Sequence, residues 1–367
     1  MELIVDRGEF VKELYLVQGI AERRNAIPIL SNVLLETGDG KIELAATDLD
    51  LSLKTSVAAQ VNEPGSVTVN AKKIYEIARS LPESDVHIKV VEGSWIVIRC
   101  AHTQFKVAGI SKDNFPVMPD LSRVGEIRFV AENLSDLVNR TLFAMTAEDH
   151  RYFLSGALLV TDKGSVAMVA TDGHRLSYAR RDSSCSDEAN RRTLLPRKAV
   201  QELVRLMDGE SEVLFGQTDQ HLVFRVGKRS LASKMVEGQF PAFESVVSTK
   251  GDKIVEVERE RLIGALRRVS LLSSERTRAV RVALEAGRLV FSAFAPDLGE
   301  AQEEVAVEYE GGDVVVGFNG QYLLDFLNSA GMERICIELK NAESQGVFRP
   351  VGDKAVEHRY VVMPMRL

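Results

Sequence analysis

Residues 46–51 read Ala-Thr-Asp-Leu-Asp-Leu, residues 170–176 read Ala-Thr-Asp-Gly-His-Arg-Leu, and residues 292–298 read Ser-Ala-Phe-Ala-Pro-Asp-Leu. The three stretches lie about 123 residues apart, and each follows an apolar, strand-like run, at 31–35, 155–159 and 280–284. A repeat of this length restricts the fold to tandem copies of one module, each close to the size of an ordinary domain.

Within each copy the order strand, helix, three strands occurs twice. The first copy predicts strands at 2–6, 33–37, 41–47, 49–57, 66–70, 86–91, 95–100 and 104–108. Its helices are marked by Phe10, Val11, Leu14 and Val17 at helical spacing and by 71–80, which stops at Leu81-Pro82. The second predicts strands at 126–130, 154–161, 165–171, 176–181, 193–195, 212–216, 221–226 and 230–235, with helices 133–143 and 196–207. Proline at 196 suits a first helical position, where its missing N–H costs nothing. The segment 183–190 reads as a polar, acidic, mobile loop. The third predicts helices 259–272 and 319–329 among strands 253–258, 281–285, 289–294, 302–307, 314–317, 334–339, 346–349 and 358–363. Phe115-Pro116 and Phe240-Pro241 close the first two copies about 125 residues apart, and Pro364 follows Pro241 by about 123. The expected fold is α+β: three similar domains, 1–121, 127–244 and 252–367, each with two helices packed under antiparallel sheets.

Charge narrows the function. The formal net charge of −7 excludes a uniformly basic nucleic-acid binder but leaves room for a locally basic face. Counted over 10–18, 71–80, 133–143, 196–207, 258–271 and 319–329, the six helical stretches carry twelve basic residues against seven acidic, about +5, which leaves about −12 elsewhere. That segregation suits helices turned toward a polyanion, with the last helix, 319–329, as the exception. No base-reading motif accompanies it, so the interaction expected is with phosphates and blind to sequence. Three scattered cysteines at 100, 185 and 336 suit no zinc site and point to a reducing, cytoplasmic setting. The start lacks a signal peptide, and no apolar run reaches the roughly 18 residues of a membrane span. No cofactor and no metal are expected, and no membrane partner.

Phosphate loop, nucleophile elbow and His-Glu-x-x-His pair are all missing. Asp172-Gly173-His174-Arg175 admits an acid–base pair, a tight turn with glycine at positive φ, or a binding surface made by the turn. An enzyme using Asp172 and His174 and a monomeric peptide-binding scaffold are the rival functions.

Several long motifs together resemble the bacterial DNA polymerase III beta subunit, the sliding-clamp family. They are Val-Ala-Thr-Asp-Gly-His-Arg-Leu at 169–176, Tyr-Val-Val-Met-Pro-Met-Arg-Leu at 360–367, Phe240-Pro241, and Arg-Tyr-Phe-Leu at 151–154. The resemblance covers the whole chain. It implies a non-enzymatic processivity factor with the DNA-clamp fold, two chains joined head to tail into a ring that encircles duplex DNA. Twelve helices at about 10 Å spacing would line a circle about 38 Å across. Subtracting a helix body of about 10 Å leaves an opening near 28 Å.

By the same resemblance the DNA-facing residues are Arg24, Lys72, Arg79, Tyr152, Phe153, Arg197, Lys198 and Arg205. Relatives often carry two tyrosines at the loop, so Phe153 lacks one hydroxyl. The partner-peptide pocket comprises Leu154, Thr171, Gly173, His174, Arg175, Leu176, Pro241, Val246, Val361, Val362, Met363, Pro364, Met365, Arg366 and Leu367. Its methionines suit a site that repacks around many short peptides. Ser245, Ser344 and Gly346 depart from the wall residues of relatives and imply one reshaped rim. The dimer interface comprises Lys73, Phe105, Val107, Leu271, Leu272, Glu300, Glu303 and Glu304. There the strand at 104–110 would meet 300–305 of a second chain edge to edge, with Lys73 beside Glu300, Glu303 or Glu304. The implied partners are duplex DNA without sequence preference, a second copy of the chain, the DNA polymerase III alpha subunit, a clamp loader complex, and other polymerases and repair proteins carrying short clamp-binding peptides. The loader must hold the ATPase, because this chain has no nucleotide loop.

Overall fold

The computed structural model describes residues 1–21, 27–119, 127–146, 154–183, 191–236 and 238–366. The chain groups into two compact units, Met1–Glu132 with Lys198–Met235, and Asn133–Arg197 with Val236–Leu367. This division crosses the expected domain limits. The reason is strand pairing: Leu51–Glu63 in the first repeat bonds to Arg229–Lys234 at the end of the second. Likewise Arg175–Asp182 in the second bonds to Glu357–Val362 at the end of the third.

The first unit holds a 12-stranded antiparallel sheet. Its order is Glu2–Val5, Val86–Val91, Trp95–Cys100, Thr103–Ile110, Ser66–Asn70, Asn32–Gly38, Lys41–Thr47, Leu51–Glu63, Arg229–Lys234, His221–Val226, Glu212–Gln217, Ile127–Val130. The helix Arg7–Val17 starts where the Asp6 carboxylate accepts the Glu9 N–H at 2.9 Å. It buries Phe10, Leu14 and Val17 on one face and packs beside the helix Ala71–Ser80, which Asn70 caps through the Lys73 N–H.

The second unit holds an eight-stranded sheet and a four-stranded sheet. The larger runs Arg191–Pro196, Gly156–Asp162, Ser165–Thr171, Arg175–Asp182, Glu357–Val362, Gly346–Pro350, Arg334–Leu339, Lys253–Glu258. The smaller runs Gly299–Ala306, Arg288–Ala295, Ala279–Glu285, Val314–Asn319. The helices Arg259–Ser270 and Gly320–Ser329 pack together over a core containing Leu266, Val269, Phe291, Phe318 and Phe326, with Tyr360 stacked on Phe326 at 4.8 Å. A Cβ at Gly320 would lie 2.8 Å from Val280, so glycine permits this close helix-to-sheet approach.

Most predicted elements form, with three local differences. The helix expected at 133–143 is Ala131–Asn139, followed by the 3₁₀ turn Leu142–Ala144. The Thr141 hydroxyl donates back to the Leu137 and Val138 carbonyls, which closes the helix early. Pro196 does not open a helix: it ends the strand Arg191–Pro196 opposite Gly156, and the helix Arg197–Met207 follows. A short helix, Glu244–Val247, forms where no element was expected. Cys100 and Cys336 are buried free thiols, whereas Cys185 and nearly all of the acidic loop lie outside the described residues. Among the described residues no helix is long and apolar enough to cross a membrane.

The first-repeat turn shows what the tripeptide Ala-Thr-Asp does. The Thr47 hydroxyl donates to the Leu51 carbonyl at 3.1 Å, and Asp48 Oδ1 accepts the N–H groups of Asp50 and Leu51. Leu49 sits at φ 79°, a left-handed conformation that leucine adopts only under strain. Replacing Leu49→Gly should therefore raise stability by about 0.5–1 kcal/mol, the left-handed penalty less the entropic cost of glycine. Thermal unfolding checks this; an unchanged or lower midpoint would contradict it.

One charged cluster is built into the core of the first unit. Glu13 is fully buried and takes a two-pronged bond from Arg229, at 3.0 and 2.8 Å, and a third from the Thr55 hydroxyl at 2.7 Å. Burial alone would raise the Glu13 carboxyl, but the hydrogen bonds from Arg229 and Thr55 overcome it and hold it below the usual carboxylate value. Glu13→Ala strands the buried Arg229 charge and should cost about 3 kcal/mol or more. The double replacement Glu13→Ala with Arg229→Met should cost less than Glu13→Ala alone, which chemical denaturation of both variants measures.

Candidate peptide groove and nucleic-acid face

The second-repeat turn repeats the first bond for bond. The Thr171 hydroxyl donates to the Arg175 carbonyl at 2.6 Å, and Asp172 Oδ1 accepts the N–H groups of His174 and Arg175 at 2.9 and 3.0 Å. Gly173 takes the left-handed position at φ 88° that Leu49 occupies in the first repeat. Asp172 Oδ2 accepts Arg175 Nε at 3.0 Å. Both carboxylate oxygens thus serve the turn and its neighbour, not the imidazole of His174, and Asp48 holds the matching role without any histidine. This geometry favours the turn over the acid–base pair.

Arg175 also departs from a simple wall residue. Its Nη1 reaches Asp325 at 2.6 Å, its Nη2 reaches the Phe143 carbonyl at 2.7 Å, and the guanidinium lies 4.1 Å from the Tyr322 ring centre. The side chain anchors the turn to the helix Gly320–Ser329.

Above the turn, Leu158, Val169, Leu176, Val347 and Val361 form an apolar floor with Phe243. Val160, Tyr178, Phe240, Val246 and Val247 pack around it half-buried. Leu154, buried, precedes the strand Gly156–Asp162, and Pro241 is exposed beside Phe240. The C-terminal segment lies alongside: Val362 is buried in the last strand, Met363 is 47% exposed, and the Met363 N–H donates to the His174 carbonyl at 2.9 Å. Pro364 and Met365 are half-buried, and the Met365 N–H donates to the Gly317 carbonyl at 2.8 Å. Arg366 is exposed and lines a separate concavity with Phe294 and Glu300, while Leu367 lies outside the described residues.

The floor residues absent from the sequence-based set are Leu158, Val160, Val169, Tyr178, Phe240, Phe243, Val247 and Val347. Alternation along two strands signals 158 with 160 and 176 with 178, but nothing local marks Val347, which arrives from the third repeat. The departures have separate causes. Ser245 is exposed on the short helix Glu244–Val247, and Ser344 belongs to a turn capped by Asn341. Gly346 is set by packing, because a Cβ there would meet the Phe318 ring at 2.6 Å.

Lys72, Lys198 and Arg205 gather round one concavity of about 680 Å³ with Tyr15 and Glu202. Each cation has a carboxylate neighbour: Lys72 lies 3.7 Å from Glu76, Arg205 lies 3.1 Å from Glu202, and Lys198 pairs with Asp48. Arg79 is exposed, and Arg197 Nη1 donates to the Met145 carbonyl at 2.7 Å. Arg24, Tyr152 and Phe153 lie outside the described residues. Counting helix charges overstated the free positive charge. Arg140 is buried between Asp136 and Asp353, and Arg268 bonds to Glu303. Of the three pairs at the concavity only Lys72 with Glu76 is exposed on both sides and therefore weak, whereas the side chains of Asp48 and Glu202 are buried.

The strand Thr103–Ile110 pairs along its length with Trp95–Cys100 but meets Ser66–Asn70 only at Gly109 and Ile110. Among the described residues its other edge is unpaired from Thr103 to Ala108, with Phe105 and Val107 half-buried. In the second unit Gly299–Ala306 is an edge strand of its sheet. Close to that edge Leu271 is 76% exposed, Leu272 is half-buried, and Phe294 is 65% exposed. Glu300 is exposed, Glu304 pairs with Arg288 and Lys73 with Glu76.

The three repeats match, in order, models of the DNA polymerase III beta subunit: the N-terminal domain over residues 1–119, the central domain over 129–242 and the C-terminal domain over 244–366. The beta sliding clamp of Pseudomonas aeruginosa PAO1 is 37% identical over the full length of both chains, and that of Vibrio cholerae 33%. The crystal structure of the DNA polymerase III beta subunit from Pseudomonas aeruginosa superposes over all of both chains with a TM-score of 0.93 at 35% identity. A sliding clamp from Bartonella birtlesii bound to griselimycin gives 0.93 at 32% identity, again over all of both chains. The architecture is that of a DNA clamp. The chain belongs to the family of bacterial DNA polymerase III beta subunits, the beta sliding clamps.

Beneath the groove, on the strand next to Leu176, the buried Ser177 hydroxyl donates to the Arg140 carbonyl at 2.6 Å and lies 3.1 Å from His358 Nε2. Burial, aided by the Arg140 charge, pushes the His358 imidazole down to about 3. The folded chain holds it neutral, whereas the unfolded chain protonates it near 6.5. Its stabilising contribution is therefore complete above pH 6.5 and is lost as pH falls from there toward 3. Between pH 7 and pH 5 the loss should reach about 2 kcal/mol. His358→Leu should remove that part of the slope, as urea denaturation at both pH values tests.

Proposed function

We infer that the chain is a processivity clamp: it encircles duplex DNA without reading its sequence and tethers the replicative polymerase through the groove beside the Asp172 turn. Family membership over the whole length carries this conclusion. Three modules, 1–121, 127–244 and 252–367, are proposed as its domains, supported by the matched turns at Asp48 and Asp172.

Two edge strands support a head-to-tail homodimer. Thr103–Ile110 offers unpaired backbone groups, and Gly299–Ala306 offers a complementary edge flanked by the exposed Leu271 and Phe294. Lys73 would there exchange its intrachain partner for the glutamates at 300, 303 or 304. Lys72, Lys198 and Arg205 supply positive charge for phosphates, with Arg24, Arg79, Tyr152, Phe153 and Arg197 as further DNA contacts. A topological link holds the chain on DNA, so affinity can stay low while residence is long. Bound partners then gain from local concentration. The polymerase alpha subunit, a clamp loader, and other polymerases and repair proteins are the proposed ligands of the groove. Catalysis is not part of this function, and the cytoplasm is its proposed location.

After loading by its cognate loader, the protein should stay on closed circular DNA through gel filtration and leave within the same run once the circle is cut. Equal loss from both forms would rule out encirclement. Deleting residues 365–367 should weaken partner-peptide binding while sedimentation still reports a dimer; unaltered peptide binding would remove the tail from the site.

A further inference from the structure

The apolar floor does not end the trench in the larger sheet of the second unit. Side chains two residues apart on a strand share a face. Leu176 and Tyr178 of the floor are therefore followed on the same face by Arg180, Val361 by Arg359, and Val347 by Arg349. The registers agree, with Tyr178 opposite Arg359 and Arg180 opposite Glu357. Arg359 Nη1 also donates to the Val247 carbonyl at 3.2 Å, so the short helix that walls the floor is bonded to this second stretch. Beyond it opens a groove of about 600 Å³ whose lining carries six arginines and lysines against four carboxylates.

One of the six, Arg181, lies 3.8 Å from Asp136, and the other five fall into two groups. Arg349 bonds to Glu338 at 2.9 Å and Arg359 to Glu357 at 3.0 Å, pairs that offset each other. Arg180, Lys250 and Lys354 line the same groove and are exposed, and among the described residues none of them forms an ion pair with a carboxylate. The positive excess thus lies on three side chains at the far end of an apolar trench. Ile254, 49% exposed, adds one apolar surface among them.

We propose that this cationic groove extends the peptide site and receives acidic side chains flanking the apolar anchor of a docking peptide. The inference rests on the peptide-groove reading above. Its own support is continuity with that groove on one sheet face and complementary charge. Side chains two apart on a strand are separated by about 7 Å, so the acidic residues belong about two to four positions from the anchor. Such contacts are exposed and screened, so they modulate affinity among peptides that already carry the anchor.

The test uses the full-length protein and synthetic dodecapeptides whose anchor is three large apolar residues. Three aspartates are placed on one side of the anchor in one peptide and on the other side in a second; three asparagines replace them in the controls. Fluorescence anisotropy at low salt should show one aspartate peptide binding about five-fold tighter than its asparagine control. The difference should vanish at 0.5 M salt and in the triple variant Arg180→Ala, Lys250→Ala, Lys354→Ala, while the asparagine peptides keep their affinity. Equal affinity of aspartate and asparagine peptides in both placements would overturn the extension alone. Binding of every peptide unaffected by Leu176→Asp would instead overturn the peptide groove. A triple variant that loses DNA retention but keeps the aspartate preference would assign the cations to nucleic acid and overturn the proposal.

Discussion

The pairing on which most of the structure depends is antiparallel and joins one repeat to the last strand of the next. Leu51–Glu63 takes up Arg229–Lys234, and Arg175–Asp182 takes up Glu357–Val362. In each case the strand begins just after an Ala-Thr-Asp turn, and that turn fixes its register. The threonine hydroxyl and aspartate carboxylate satisfy the backbone groups of the bend, so the following strand leaves at a set angle. The carbonyl at the tip then receives the N–H that ends the incoming strand, from Lys234 at Asp50 and from Met363 at His174. A motif that could be mistaken for a catalytic dyad is a joint between repeats.

The two matching turns carry different side chains on the sheet beside them. At the second turn Leu158, Val169 and Val361 come together from two repeats in one buried apolar cluster, with Tyr178 half-buried against it. At the first, Lys54 stands where Tyr178 does, opposite Ala45 in place of Val169. Lys54 bonds to Glu43 at 2.7 Å, so charge covers the equivalent surface. The same backbone device thus stands beside a surface of mixed charge and apolar character in one repeat and beside an apolar cluster in the other. The difference lies in a few side chains on the outer sheet face.

Electrostatics divides along similar lines. Cations with structural roles are buried and multiply bonded, as with Arg229 on Glu13 and Arg140 between two aspartates. Lys72, Lys198 and Arg205 are instead exposed beside one carboxylate each, and of those carboxylates only Glu76 is itself exposed. Net charge and helix counts do not distinguish the two kinds, because burial decides which positive charge remains accessible.

The sequence alone determined the threefold repeat, the strand–helix order, and Leu154, the turn at 171–176 and the segment 361–367 as candidates for one site, because apolar periodicity, turn residues and long motifs are local properties of the chain. Element ends were less legible: Thr141 closes its helix by a side-chain bond that propensity does not reveal, and Pro196 finishes a strand because Gly156 lies opposite. Only the tertiary structure decided that the compact units cut across the repeats, that Val347 and Val361 join Leu158 and Leu176 in one floor, and that Arg175 is turned onto Asp325. Each of these depends on pairing between residues at least 150 positions apart or on the angle at which strands meet, and no local pattern encodes either.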